Sequence, residues 1–139
     1  MPTDLKIARV LLVDDHPALL SQAHRLLSGD FTVVGALPDG TALAETVART
    51  GPDLVVLDIT LPGSSGLVLA ERLREAGCPA RIVFLTVHCD PDYARAAFTA
   101  GASGYVVKSR MVTDLVSALR AALVGARFVS PCAELAGLV

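Results

Sequence analysis

The stretch Leu54-Val55-Val56-Leu57-Asp58 constrains this chain more than any other. Four large apolar side chains in a row cannot alternate between a core face and a wet face. They read instead as a short strand buried on both sides, the kind found in parallel sheets covered by helices. Asp58 ends the run, and Pro62, Gly63 and Gly66 follow, so the chain leaves the sheet through a loop able to approach a ligand closely. Ligands of open parallel sheets bind beyond the carboxyl ends of the strands. An aspartate is also what an ordinary solvated turn contains, so the meaning of Asp58 depends on the rest of the chain.

Two periodicities alternate along it. Ile7 to Val13 is an aliphatic run ending in Asp14-Asp15, and Pro17 suits the first turn of a helix carrying Leu19, Leu20, Ala23, Leu26 and Leu27, with Gly29 to end it. Phe31 to Ala36 reads as a second strand. Asp39 is expected to cap a helix running to Thr50, where Gly51-Pro52 stops it. After the Leu54–Leu57 strand, Leu69, Leu73 and Ala76 mark a third helix closed by Gly77 and Pro79. Arg81 to Thr86 is the fourth strand, and Asp90-Pro91 opens an alanine-rich helix ended by Gly101. Gly104 to Lys108 is the fifth. A last amphipathic helix carries Leu115, Ala118, Leu119, Ala122 and Leu123 to about Gly125, its start weakly signalled, with Ser109 or Thr113 as the available caps.

Five strands alternating with five helices predict an α/β fold, a parallel sheet with helices on both faces. Asp14 and Asp15 end the first strand, Asp58 the third, Thr86 the fourth and Lys108 the fifth, whereas the second ends without comparable chemistry. Solvated loops could produce any one of these residues. Four strands presenting such groups at one end of a sheet point to a site.

Composition narrows what that site serves. The 139 residues suffice for one core without metal or disulfide, and a net charge of −2 gives no general attraction to nucleic acid or anionic membrane. No apolar run approaches the length needed to span a bilayer, and Met1 to Lys6 lacks the order of a signal peptide. Cys78, Cys89 and Cys132 are odd in number and far apart, so reduced thiols in the cytoplasm are expected.

Three carboxylates brought together repel one another unless a cation joins them. A hard divalent ion answers this, and few carboxylates with water suit Mg²⁺, while no His or Cys cluster accompanies the acids as zinc would require. Beside such an ion a carboxylate can take up a phosphoryl group as an acyl phosphate, its oxygens neutralised by metal and lysine and hydrogen-bonded by a hydroxyl such as that of Thr86.

Val13-Asp14-Asp15-His16-Pro17, Leu57-Asp58 with Pro62-Gly63 and Gly66, Leu85-Thr86, and Gly101-Ala-Ser-Gly104-Tyr-Val-Val-Lys108 together resemble the receiver domain of two-component response regulators. The likeness runs from residue 7 to about 125. It implies a flavodoxin-like (βα)5 domain with strand order 2-1-3-4-5. Asp58 would be the phosphoacceptor, fed from a phosphohistidine on a sensor histidine kinase. Asp14, Asp15, Asp58 and the Thr60 backbone carbonyl would hold Mg²⁺. Lys108 would contact the phosphoryl group, with Thr86 and Tyr105 as a switch pair: phosphate draws Thr86 inward, and the Tyr105 ring fills the space it leaves. His88, two residues after Thr86, is either a tuner of water access or simply a loop residue.

His16-Pro17, Asp39-Gly40 and Gly125-Ala-Arg-Phe-Val-Ser-Pro131 further resemble the subfamily with a LuxR/NarL-type helix-turn-helix output. That likeness implies a receiver over 1–125 and, over 126–139, the start of a linker toward a DNA-binding domain absent from this sequence. DNA would be reached only through that domain, and a homodimer would form through a helical face. Ser109 stands where many receivers carry a cis-favouring proline, so a cis bond is not assured, and Thr60 and Leu61 stand where many have bulkier or basic residues. Three other readings compete. One is a free-standing or phosphorylation-independent receiver acting as a docking or dimerisation module. A phosphatase lacks a second acid at Thr60. A flavodoxin-like electron carrier is hard to reconcile with an acidic first loop.

Overall fold

A computed structural model describes residues 7–133. Residues 1–6, and 134–139 of the expected linker, lie outside the described residues. In chain order the elements are β1 Arg9–Val13, α1 Pro17–Leu27, β2 Thr32–Leu37, α2 Leu43–Thr50, β3 Leu54–Leu57, β4 Thr60–Leu61, β5 Ser64–Ser65, α3 Gly66–Glu75, β6 Arg81–Thr86, α4 Pro91–Thr99, β7 Gly104–Val107, α5 Met111–Leu123 and β8 Phe128–Val129. Among the described residues the main sheet runs β2-β1-β3-β6-β7-β8, and every pairing in it is parallel. Its first five strands, β2-β1-β3-β6-β7, carry the expected 2-1-3-4-5 order.

All four residues of β3 are buried, as an unbroken apolar run demands of a central strand. Its side chains alternate between two cores. Leu54 and Val56 join Val10, Leu12, Val83 and Leu85 against α1 and α5, while Val55 and Leu57 join Leu11, Val13, Ile82 and Phe84 against α2, α3 and α4. Met111, Leu115 and Leu119 of α5 are each almost wholly buried. At about 1.5–3 kcal/mol for each large apolar side chain, this one helix face contributes several kcal/mol. No helix among the described residues is long and apolar enough to cross a membrane.

Local signals held at several ends. Pro17 and Pro91 sit in the first turns of α1 and α4, and the Asp90 carboxylate caps α4 by accepting from Asp92 N. Gly51 ends α2 in the left-handed region at φ 58°. At the other end of α2, however, the expectation fails. Asp39 does not cap it: Oδ1 accepts from Thr41 N at 2.8 Å in a local turn, which holds the carboxyl below its ordinary range, and α2 starts only at Leu43. A side chain that satisfies its own turn has nothing left for the helix. Neither Ser109 nor Thr113 caps α5; a 3₁₀ turn over Lys108–Arg110 leads straight into it. No peptide bond among the described residues is cis, Lys108–Ser109 included.

Past Gly125 the described chain continues along the edge of the sheet. Phe128 and Val129 pair with Gly104 and Tyr105 of β7, and Ser130 N donates to Tyr105 O at 2.9 Å. The wholly buried Ser130 hydroxyl accepts from Val107 N at 3.0 Å and donates to Asp114 Oδ2 at 2.8 Å. Arg110 Nε closes the group at 2.8 Å from the same Asp114 oxygen. Ala133 is buried in the core beneath α4. The expectation of reduced thiols is corrected: Cys78 is a free thiol, but Cys89 is disulfide-bonded. Spacing along a chain does not show which sulfurs folding brings together.

Candidate functional site

The acidic end of the sheet is built by the strands themselves. β1 and β3 are adjacent and parallel, so their carboxyl ends deliver Asp14 and Asp58 side by side, both buried. Lys108 arrives from the end of β7. Its ammonium lies 2.8 Å from Asp14 Oδ2 and 2.8 Å from Asp58 Oδ2, and its side chain is only 9% exposed. Burial alone would lower the ammonium's pKa, but the hydrogen bonds and charges of Asp14 and Asp58 outweigh it, and the net shift is upward. One cation thus serves two buried anions.

Asp15 sits beside them with its side chain 35% exposed, next to His16. Ligand atoms of Asp14, Asp15, His16 and Asp58 all lie within 4.8 Å of one another. Three hard carboxylates converging at a rim fit a small divalent ion. Asp14 Oδ2 adds to that fit: it is buried and, apart from its ion pair with Lys108, has no hydrogen-bond partner among the described residues. His16 carries no role in the sequence beyond the resemblance, yet the structure sets its ring against Asp14 and Asp15. Its place two residues after Asp14, in the turn entering α1, is the signal that could have found it.

The loop after Asp58 is held by close backbone contact. Gly66 N donates to Ile59 O at 2.7 Å, and a Cβ on Gly66 would collide with the carbonyl oxygen of Asp58. Only glycine allows this approach. β4 and β5 form a small antiparallel hairpin within the loop, pairing Thr60 with Ser65. Thr60 N reaches Asp58 Oδ1 at a long 3.4 Å, and the Thr60 hydroxyl meets His88 Nε2 at 2.9 Å.

Thr86 and Tyr105 lie on neighbouring strands, β6 and β7, and both are fully buried. The Tyr105 hydroxyl donates to the His88 carbonyl at 2.8 Å, and burial first, then neighbouring acidic groups, raise its pKa. Tyr105 is thus a wholly buried strand aromatic, and any movement of its ring starts from inside. His88 is more than a loop residue here, since its ring also stacks on Tyr93 at 4.1 Å. The structure brings Asp14, Asp15, Asp58 and Lys108 into one cluster and sets Thr60 and His88 together at its edge.

Comparison with known proteins bears on the family and the fold. The family model of the response regulator receiver domain matches residues 10–120. The nitrate/nitrite response regulator NarL of Escherichia coli K12 is 37% identical over 125 residues, covering 88% of this chain and 58% of that protein. A two-component response regulator of the LuxR family from Aurantimonas sp. superposes with a TM-score of 0.87 at 39% identity, covering 92% of this chain and 93% of the other. The isolated receiver domain of RcsB from Salmonella enterica, solved with the phosphomimetic BeF₃⁻, superposes at 0.84 with 26% identity over 92% of this chain and 96% of that one. The chain spans about three fifths of the length of the curated regulators it matches, 62% and 58% for the first two. By the extent of the family match and by these relatives, the chain belongs to the response regulator receiver domain family, among the NarL- and LuxR-type transcriptional regulators.

Proposed function

We propose that this chain is the phosphorylation switch of a two-component system, with Asp58 as the acceptor. The observation that carries the reading is the pairing of one lysine ammonium with two buried aspartates, each at 2.8 Å, at the carboxyl end of the sheet. A carboxylate oxygen of Asp58 forms a bond to phosphorus as the phosphorus–nitrogen bond of a kinase phosphohistidine breaks. The bonding pair returns to the imidazole, which takes a proton from water. Lys108 follows the charge that moves onto the phosphoryl oxygens, and the Thr86 hydroxyl supplies a hydrogen bond to them. Asp14, Asp15, Asp58 and the Thr60 carbonyl are the residues to hold Mg²⁺, which when bound neutralises further charge on the transferring group.

On this reading the chain is a switch and not an enzyme in the usual sense: it promotes only its own phosphoryl uptake and loss. The partner is a sensor histidine kinase, the compartment is the cytoplasm, and DNA is reached through an output domain outside this sequence. Dimerisation proceeds through a helical face. The change at Asp58 passes through Thr86 to Tyr105, and so to the surface of α4, β7 and α5. Intact-mass measurement after incubation with Mg²⁺ and acetyl phosphate tests the core of this. One added phosphoryl group is expected, absent from Asp58→Asn; an unmodified wild-type mass overturns the reading.

A further inference from the structure

We infer that Cys89 and Cys132 form a thiol–disulfide switch that ties the loop before α4 to the strap of residues 126–133. The sequence holds three cysteines. Cys78 is a free thiol and Cys89 is disulfide-bonded, so Cys132 is the one cysteine left within the chain to pair with it.

The fold brings the two stretches of backbone to one place, and Tyr105 joins them. Its carbonyl accepts from Ser130 N at 2.9 Å, and its hydroxyl donates to the His88 carbonyl at 2.8 Å. Cys89 follows His88 directly, and Cys132 lies two residues past Ser130. Helix α4 joins them a second time. The Asp90 carboxylate caps it, and Ala133 is buried in one core with Ala94 and Ala97 of the same helix. Each cysteine is therefore the neighbour in sequence of a residue anchored on α4.

Two observations make the bond a switch and not a permanent staple. Cys89 is exposed, and exposed disulfides are those that exchange with thiols. The strap is otherwise lightly held: β8 has two residues, both only partly buried, followed by the hydrogen bonds of the Ser130 hydroxyl and the buried Ala133. Hydrogen bonds contribute little net stability each, so a covalent link shifts the balance between docked and released strap. The cytoplasm, the compartment proposed above, keeps thiols reduced, and disulfides there are as a rule transient and redox-sensing.

A low-molecular-weight disulfide such as oxidised glutathione closes the bond. One cysteine thiolate attacks a glutathione sulfur, expels a glutathione thiolate and leaves a mixed disulfide. The other cysteine thiolate attacks the protein sulfur of that mixed disulfide and expels the second glutathione. The cysteines lose two electrons to the glutathione disulfide, and their protons pass through water to the departing thiolates. Excess reduced glutathione runs the exchange backward and frees the strap from the loop.

The test equilibrates the 139-residue chain in glutathione mixtures graded from fully reduced to fully oxidised, traps free thiols by alkylation and reads the intact mass. Every cysteine should be alkylated at the reduced end and Cys78 alone at the oxidised end, where a non-reducing digest should link the peptides holding Cys89 and Cys132. Cys78→Ser should keep the transition; Cys89→Ser and Cys132→Ser should each lose it. Hydrogen exchange on the same samples should be faster at the Ser130 and Ala133 amides by about tenfold or more on reduction, with the amides of β3 unchanged. Free thiols throughout, a bond to Cys78, a glutathione adduct in place of the cross-link, or a bond that survives excess reduced glutathione overturns the inference. Equal exchange at Ser130 and Ala133 in both states overturns it as well.

Discussion

Replacing Lys108 by methionine keeps the apolar stem and removes the ammonium. That ammonium is 2.8 Å from an oxygen on each of Asp14 and Asp58, and both carboxylate side chains are only 4% exposed. In its absence two anions stay buried side by side with no cation. Removing one partner of a buried pair costs about 3–5 kcal/mol; here one ammonium serves two anions, so the upper half of that range is expected. Against a total of about 5–15 kcal/mol for a domain, the loss is large. A divalent ion can take over the lost role. At a concentration of 100 times its Kd it stabilises by about 2.7 kcal/mol, and in wild type its gain is smaller because Lys108 competes for the same oxygens. Urea unfolding followed by far-UV circular dichroism, once in EDTA and once in Mg²⁺, measures both terms. Lys108→Met should be strongly destabilised in EDTA and recover more than wild type in Mg²⁺, and adding Asp58→Asn should restore part of the loss. The reasoning is refuted if Lys108→Met matches wild type in EDTA within about 1 kcal/mol, or if Mg²⁺ stabilises both equally.

Three further outcomes follow from the packing. Ser130→Ala removes two buried hydrogen bonds, from Val107 N and to Asp114, and should cost about 1–3 kcal/mol by urea midpoint. Gly66→Ala drives a Cβ into the Asp58 carbonyl; overpacking of this kind costs about 1–3 kcal/mol, and the same variant should lose phosphoryl uptake in the mass assay. Lys108 and Tyr105 both have pKa values raised by folding. The folded chain therefore holds more protons than the unfolded one above about pH 10, and stability that is complete below that point should fall as pH rises further. Tyr105→Phe should flatten the fall, as measured by unfolding midpoints across alkaline pH.

The strands were legible because burial on both faces leaves an unbroken apolar run, as in Leu54–Leu57, and the site was legible because parallel strands end together. What could not be read depends on partners distant in sequence. β8 is two residues long, too short to show a period, and it exists because β7 offers an edge and Asp114 accepts the Ser130 hydroxyl. Asp39 had the form of a helix cap, but its own turn at Thr41 claimed it first. His16 looked like the residue before a helix; only the meeting of β1 and β3 shows how near its ring lies to three carboxylates. Cys89 carried no spacing signal at all, since its bonding follows from the fold.

The Ser130 hydroxyl grips the amide of Val107, and the next residue along is Lys108. Ser130 and the cation of the rim are thus joined through one hydrogen bond and one peptide unit. A displacement of Ser130 acts on the Val107 amide through a single hydrogen bond, next to the ammonium that lies between the two aspartates. Conversely, when that ammonium shifts toward a new anion, the strain runs outward along the same short lever.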